Sequence, residues 1–308
     1  MIGYSAVTKR YAGWRPGRGV TALEDLTLEM NRGEVFGIAG PNGAGKSTML
    51  SLALGFLAPT AGAVHLAGEA PRRYVERVGV AYLSELVAIP PAWTAESALH
   101  RYGVLAGLST ADRKARVARA IEQLELGTHA AKKIKQLSKG TLQRLGLAQA
   151  LLSQSELVIF DEPTHGLDPL WTQRFRDIVR ELRRPDRLIV IASHNLDELE
   201  RLADRVGILD RGRLQRVAGG EPSAAAAAGP YRLILSAPCP GIPACFADAQ
   251  RDAGARGEEW IVRGDLAQLN SGLARLIREG GSVLAFYPEQ SRLETAFREA
   301  VRGAGGGA

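Results

Sequence analysis

The stretch Gly40-Pro41-Asn42-Gly43-Ala44-Gly45-Lys46-Ser47-Thr48 decides the reading of this chain. It fills every fixed position of the phosphate-loop pattern G-x-x-x-x-G-K-[ST]. The apolar run Glu34-Val35-Phe36-Gly37-Ile38-Ala39 precedes it and reads as a strand. Met49-Leu50-Ser51-Leu52-Ala53-Leu54 follows and reads as a helix, so the loop has the strand–loop–helix setting it needs. Glycines without a Cβ let the backbone close around phosphate oxygens, and the helix N-terminus offers its N–H groups to the anion. Asn42, Gly43, Gly45, Lys46, Ser47 and Thr48 are therefore expected to bind a nucleoside triphosphate. Within that loop the pattern assigns Lys46 to the β- and γ-phosphates and the Ser47 hydroxyl to Mg2+.

Outward from the loop, the apolar runs Leu157-Val158-Ile159-Phe160 and Arg187-Leu188-Ile189-Val190-Ile191-Ala192 read as strands buried on both faces. Thr27–Met30, Val64–Leu66 and Val78–Leu83 are further expected strands, and the pattern is helical from Thr94 to Leu152. Strands alternating with helices predict an α/β fold with a parallel central sheet. Asp161-Glu162 follows the Leu157–Phe160 strand directly. A carboxylate leaving a buried parallel strand beside a phosphate loop suits Mg2+, and its neighbour suits a general base for water.

A length of 308 residues suggests about two domains. The break is expected after residue 220, with a Gly-, Pro- and Ala-rich linker at 221–230. Beyond it, Tyr231–Leu235, Trp260–Val262 and Ser282–Phe286 read as strands of a small α/β or α+β accessory domain over 231–303. Leu266, Leu269, Leu273, Leu276 and Ile277 mark one face of a helix there, Leu293, Phe297 and Val301 another. Residues 304–308 read as a flexible glycine-rich tail. No apolar run is long enough to span a membrane, and no basic segment followed by an apolar run marks a signal peptide at the N-terminus. Cys239 and Cys245 are too few for a disulfide framework, and without histidine partners they make a poor soft-metal site, so a reducing cytoplasm is the default. The net charge of +6 reads as a solvated basic face rather than a nucleic-acid surface. The lysines at 132, 133 and 135 read the same way, with a membrane subunit or lipid headgroups as the other use for them, and His129 and His165 read as surface or motif-adjacent residues rather than ligands.

Taken in order, these motifs resemble the ATP-binding subunit of an ABC transporter over about residues 1–220. Leu137-Ser138-Lys139-Gly140-Thr141 is similar to the family signature, Asp161-Glu162-Pro163-Thr164 to Walker B, Gly166-Leu167-Asp168 to the D-loop and Ser193-His194 to the switch-histidine loop. The resemblance implies that His194 meets the γ-phosphate and the attacking water, and that Asp168 joins the nucleotide site. It also implies that Ser138 and Gly140 approach ATP held by a second cassette, giving a homodimer. Ser138 is independently a good helix N-cap. Tyr11 is similar to the aromatic that stacks on adenine, with Trp14 as the neighbouring alternative. Lys139 and Thr141 depart from the common Gly and Gln of the signature, and Glu85 stands where the Q-loop glutamine is usual, as a further candidate for Mg2+. Those replacements resemble the drug-resistance exporter subfamily, which implies a separate membrane permease and a place on the cytoplasmic side of the membrane. Against that reading stand a soluble cassette acting on ribosomes or DNA and a regulatory cassette that only senses ATP. The single set of motifs disfavours the first, and Glu162 with His194 disfavours the second.

Overall fold

The computed structural model describes residues 1–12, 19–219, 230–252, 258–288 and 292–303. They fall into two compact units, Met1–Gly219 and Gly220–Ala308. Trp14, the linker but for Pro230, and the tail lie outside the described residues.

In the first unit β1 (Ile2–Tyr11) lies between β2 (Val20–Met30) and β4 (Ala61–Leu66) in an antiparallel three-stranded sheet. The expected strands at 27–30 and 64–66 are parts of these longer ones. β3 (Val35–Ala39) sits inside a second sheet ordered β5 (Ala81–Leu83), β6 (Leu157–Asp161), β7 (Leu188–Ser193), β3, β8 (Arg205–Asp210), β9 (Arg213–Gly219). Every pair in it is parallel except β8–β9. All residues of β3, β6 and β7 are buried, which is why they are written as unbroken apolar runs. The hairpin joining β8 to β9 turns on Arg211 and Gly212, both at positive φ, as a tight two-residue turn between twisted strands requires.

α1 (Lys46–Ala53) packs its Met49, Leu50 and Leu52 into a core shared with Tyr4, Met30, Phe36 and Ile159. The buried Tyr4 hydroxyl donates to Met49 O at 2.9 Å, tying the phosphate-loop helix to the three-stranded sheet. Val78–Leu83 is not one strand. Pro71 opens a helix, α2 (Pro71–Val78), and Gly79 at φ 82° ends it, leaving only Ala81–Leu83 to pair with β6. The helical stretch divides into α3 (Ala95–Leu105), α4 (Thr110–Gln123) and α5 (Lys139–Leu151), capped by the side chains of Thr94, Ser109 and Ser138. Lys132, Lys133 and Lys135 are exposed around the buried Ile134, between α4 and α5. α6 (Pro169–Leu182) and α7 (Leu196–Leu202) complete the unit.

The second unit is a four-stranded antiparallel sheet, so the α+β alternative holds. Its strands are β10 (Tyr231–Leu235), β11 (Gln250–Arg251), β12 (Glu258–Val262) and β13 (Val283–Pro288), ordered β11-β12-β10-β13. The short α8 (Ile242–Cys245) and α9 (Leu266–Arg278) cover a core of Leu233, Leu235, Ile242, Phe246, Val262, Leu269 and Leu276. Ile277 does not share that face; it is 60% exposed, because one residue past Leu276 turns the side chain about 100° round the helix. The last helix is α10 (Arg292–Gly303). Cys239 and Cys245 are both free and half-buried against this core.

Candidate nucleotide site

The phosphate loop leaves β3 at its C-terminal end, where a parallel sheet presents its ligand-binding edge. Gly43 and Gly45 have φ 82° and 106°, a region that L side chains rarely enter. A Cβ on Gly45 would lie 2.5 Å from Ala22 O, so only glycine lets the loop run against β2. Gly45 caps α1 without a side-chain hydrogen bond, which leaves the first N–H groups of that helix free to receive an anion.

Lys46 is buried and crosses the mouth of the loop. Its Nζ donates to Gly40 O at 2.7 Å and lies 3.5 Å from Glu162 Oε1. Asp161 ends β6, and only 3% of it is exposed. Its Oδ1 has no hydrogen-bond partner. Burial is the main force pushing the Asp161 carboxyl up to about 6; Glu85 and Glu162 push the same way, while Ser47 and Lys46 oppose them. A buried carboxylate with a partnerless oxygen beside a serine hydroxyl is what a divalent cation would relieve. Among the described residues no group of three His, Cys, Asp or Glu converges to hold a metal alone. Mg2+ needs no such group, since one or two carboxylates, a hydroxyl and phosphate oxygens complete its shell. Asp161, Ser47 and Glu85 fit that requirement.

Glu162 has φ 48°, a left-handed backbone unusual for glutamate. Its N–H donates to Ala192 O at 2.8 Å, and Gln143 Nε2 donates to Pro163 O at 3.1 Å just beyond it. The backbone turn aims the carboxylate at the end of β7. There it accepts from His194 N–H at 3.1 Å and from His194 Nδ1 at 2.8 Å. A carboxylate only accepts, so Nδ1 carries the proton. Ser193 Oγ lies 3.4 Å away on the same carboxylate.

Val20, Thr21 and Ala22, the loop residues 41–48, Glu85, Asp161 and Glu162 line one cleft of about 310 Å³. Asn42, Gly43, Gly45, Lys46, Ser47, Thr48, Glu85, Asp161 and Glu162 thus come together as the motifs suggest, and His194 joins through Glu162. Tyr11 stands at the margin, with its hydroxyl 3.4 Å from Thr48 Oγ1 and its ring partly exposed. Ser138, Gly140 and Asp168 do not line the cleft. Ser138 Oγ accepts from Thr141 N at 3.2 Å to cap α5, and Asp168 accepts from Trp171 N at 2.9 Å to cap α6. A Cβ on Gly140 would meet Gly166 O at 3.0 Å.

Three residues support the site through contacts that the motifs do not state. Gln143 braces the Glu162 turn. Glu198, fully buried with its carboxyl pushed up by burial, accepts from Thr164 Oγ1 at 2.6 Å and so fixes the segment after Glu162. Ser193 Oγ also accepts from Asn195 N at 3.0 Å, holding the turn that carries His194. A polar residue inside an otherwise apolar helix face was the available signal for Gln143; Ser193 stands in the His194 motif itself, whose pattern does not show these hydrogen bonds.

A glycine loop on a central parallel strand, with two carboxylates at the end of the next strand but one in the same sheet, defines a P-loop nucleotide-binding cassette. Residues 23–165 match the ABC transporter family. An uncharacterised ABC transporter ATP-binding protein of Synechocystis is 37% identical over 68% of this chain, and an alignment with it spans 60% of that protein. The Nod factor export ATP-binding protein I of Paraburkholderia xenovorans is 37% identical over 66% of this chain and 67% of its own length. The ABC transporter ATP-binding protein NatA of Bacillus subtilis is 32% identical over 63% of this chain and 80% of its own. The chain belongs to the ABC transporter ATP-binding proteins. It spans about three fifths of the length of the first curated relatives it matches. Among solved structures, the bacterial ABC transporter cassette MJ0796, determined as a dimer, aligns with a TM-score of 0.61 at 25% identity, over 71% of this chain and 98% of that one.

Proposed function

We propose that this chain is the ATP-binding and ATP-hydrolysing subunit of a transporter, working with Mg2+. The carrying observation is Glu162, turned by a left-handed backbone onto His194 and Lys46 beside the orphaned Asp161. In this reading Lys46 exchanges Glu162 for phosphate oxygens, and the loop N–H groups hold the remaining phosphate charge. Glu162 then accepts a proton from the attacking water, and His194 keeps that carboxylate aimed. Asp161, Ser47 and Glu85 would hold Mg2+, which would supply charge neutralisation at the phosphates. Tyr11 is proposed as the adenine-stacking ring.

Ser138 and Gly140 sit away from the chain's own cleft, which supports their use on a second copy's nucleotide, with Asp168 near that seam. The dimeric MJ0796 cassette is in keeping with this arrangement. Among the described residues no helix is long and apolar enough to cross a membrane, so movement of a substrate is proposed to pass through a separate permease on whose cytoplasmic side this chain sits. Export is the favoured direction, because a relative at 37% identity is named for export. Residues 231–303 are proposed as an accessory domain that supplies no catalytic group.

The purified chain should release phosphate from ATP only with Mg2+, at a rate per chain that rises with protein concentration as cassettes pair. A chain that binds Mg·ATP but releases no phosphate at any concentration would leave the sensing cassette as the better reading. Ribosomes or DNA, rather than a membrane protein, recovered with the native complex would overturn the transport role.

A further inference from the structure

Glu85 and Lys139 are the two charged departures from the common cassette pattern, and they lie on segments far apart in sequence. One imidazole lies between them, hydrogen-bonded to the lysine and near the carboxylate but beyond hydrogen-bond reach of it. His165 Nδ1 is 3.9 Å from Glu85 Oε1, and His165 Nε2 is 2.9 Å from Lys139 Nζ. An ammonium only donates, so Nε2 must accept, and the ring proton sits on Nδ1 facing the carboxylate. The lysine stem is seated as well: a Cβ on Gly166 would meet Lys139 Cδ, Cε and Cγ at 3.0–3.1 Å. Glu85 also lines the nucleotide cleft with Asp161 and Glu162. Three carboxylates therefore face one cleft, and the lysine that fills a usual glycine position lies behind the third.

We propose that His165 and Lys139 are positioning residues for Glu85, forming with it one Glu–His–Lys unit that holds its carboxylate toward the metal position. The unit joins three segments: the loop after β5, the turn after Glu162, and the first turn of α5. The inference rests on the nucleotide-site reading above. It accounts for both departures together, because a glutamate in place of glutamine adds a charge that a lysine in place of glycine balances through the ring. Lys139 acts within its own chain, and Gly166, held at φ 84°, leaves room for the lysine stem.

A double-mutant cycle with three readouts tests this. Lys139→Met keeps the stem on Gly166 and removes the ammonium; His165→Ala removes the bridge. Each is expected to raise the Mg2+ concentration at half-maximal ATP binding by about threefold or more, as coupled neighbours do. Neither should raise it further once Glu85→Gln is present. Without nucleotide, the 15N spectrum of the His165 ring at pH 8 should show a protonated Nδ1 and a bare Nε2. Denaturation midpoints of the same variants should be non-additive in the same way. Equal effects of Lys139→Met in the wild-type and Glu85→Gln backgrounds would overturn the proposal. So would tighter Mg2+ binding in Lys139→Met, which would make the lysine a plain repelling charge. A ring protonated on Nε2 would overturn it too. A wild-type chain that bound no Mg·ATP would remove the nucleotide reading instead, while the spectrum and the denaturation cycle would still decide the unit itself.

Discussion

Asp161→Asn should make the nucleotide-free protein more stable and at the same time cripple its response to Mg·ATP. The carboxyl is 3% exposed, carries an oxygen without a partner, and titrates near 6 rather than 3.8. A raised carboxyl pKa means that the folded chain holds a proton the unfolded chain has released. Stability is therefore lost as pH rises from about 4 to about 6, and the cost stays constant above that. A rise of about two pKa units corresponds to about 3 kcal/mol at pH 8. Asparagine keeps the shape and removes the charge, but it gives up the attraction to Lys46, so a net gain of about 1–3 kcal/mol is expected. For a unit of this size that is a rise in Tm of roughly 3–10 °C. The assay is thermal unfolding in EDTA at pH 8 and pH 5, then at pH 8 with Mg·ATP. The variant should exceed wild type at pH 8, the margin should shrink at pH 5, and the shift produced by Mg·ATP should nearly vanish. A variant less stable than wild type at pH 8 without nucleotide, or a margin that ignored pH, would refute the reasoning.

Glu162→Gln should retain ATP binding and lose about 10²–10⁴ in hydrolysis rate, the usual cost of removing a general base; near-normal phosphate release would count against that role. Lys46→Ala should weaken Mg·ATP binding itself, which calorimetry would register as a higher Kd, because the loop has no other lysine or arginine to take its place. Ser138→Ala removes the cap of α5 and should lower stability by about 1 kcal/mol, seen as a reduced urea midpoint. A chain ending at Gly219 should stay soluble and bind ATP with unchanged affinity, since the cleft is lined wholly by residues before that point; loss of binding would make the second unit part of the cassette.

The parts of this site that could be read from the sequence are those whose chemistry is local. Gly45 and Lys46 are recognisable because the loop's backbone geometry and its cation must occupy fixed positions along a few consecutive residues. Asp161 and Glu162 are recognisable because a fully buried strand is written as an apolar run, and a carboxylate at its end stands out. Val78 lies in a helix rather than the expected strand for a related reason: its apolar neighbours suit a strand, but Pro71 and Gly79 set helix boundaries that outweigh the local pattern. Ile277 shows the limit of periodicity, since one residue decides whether a side chain meets the core or the solvent.

What lay beyond the sequence depends on contacts between distant segments. Glu85, Lys139 and His165 span 80 residues, and nothing near any of them announces the other two. Glu198 looks like one more charge on a short polar helix until the fold buries it on Thr164. The same holds for Glu162, whose spacing identifies it as a candidate base but does not reveal a φ of 48°. That backbone turn is sustained by Gln143, by the Ala192 carbonyl and by three donors from Ser193 and His194. The aim of the Glu162 carboxylate thus depends on residues from α5, β7 and the turn after β7. Motif residues name the reaction; the supporting contacts decide whether the reacting group is aimed, and only the folded chain brings those together.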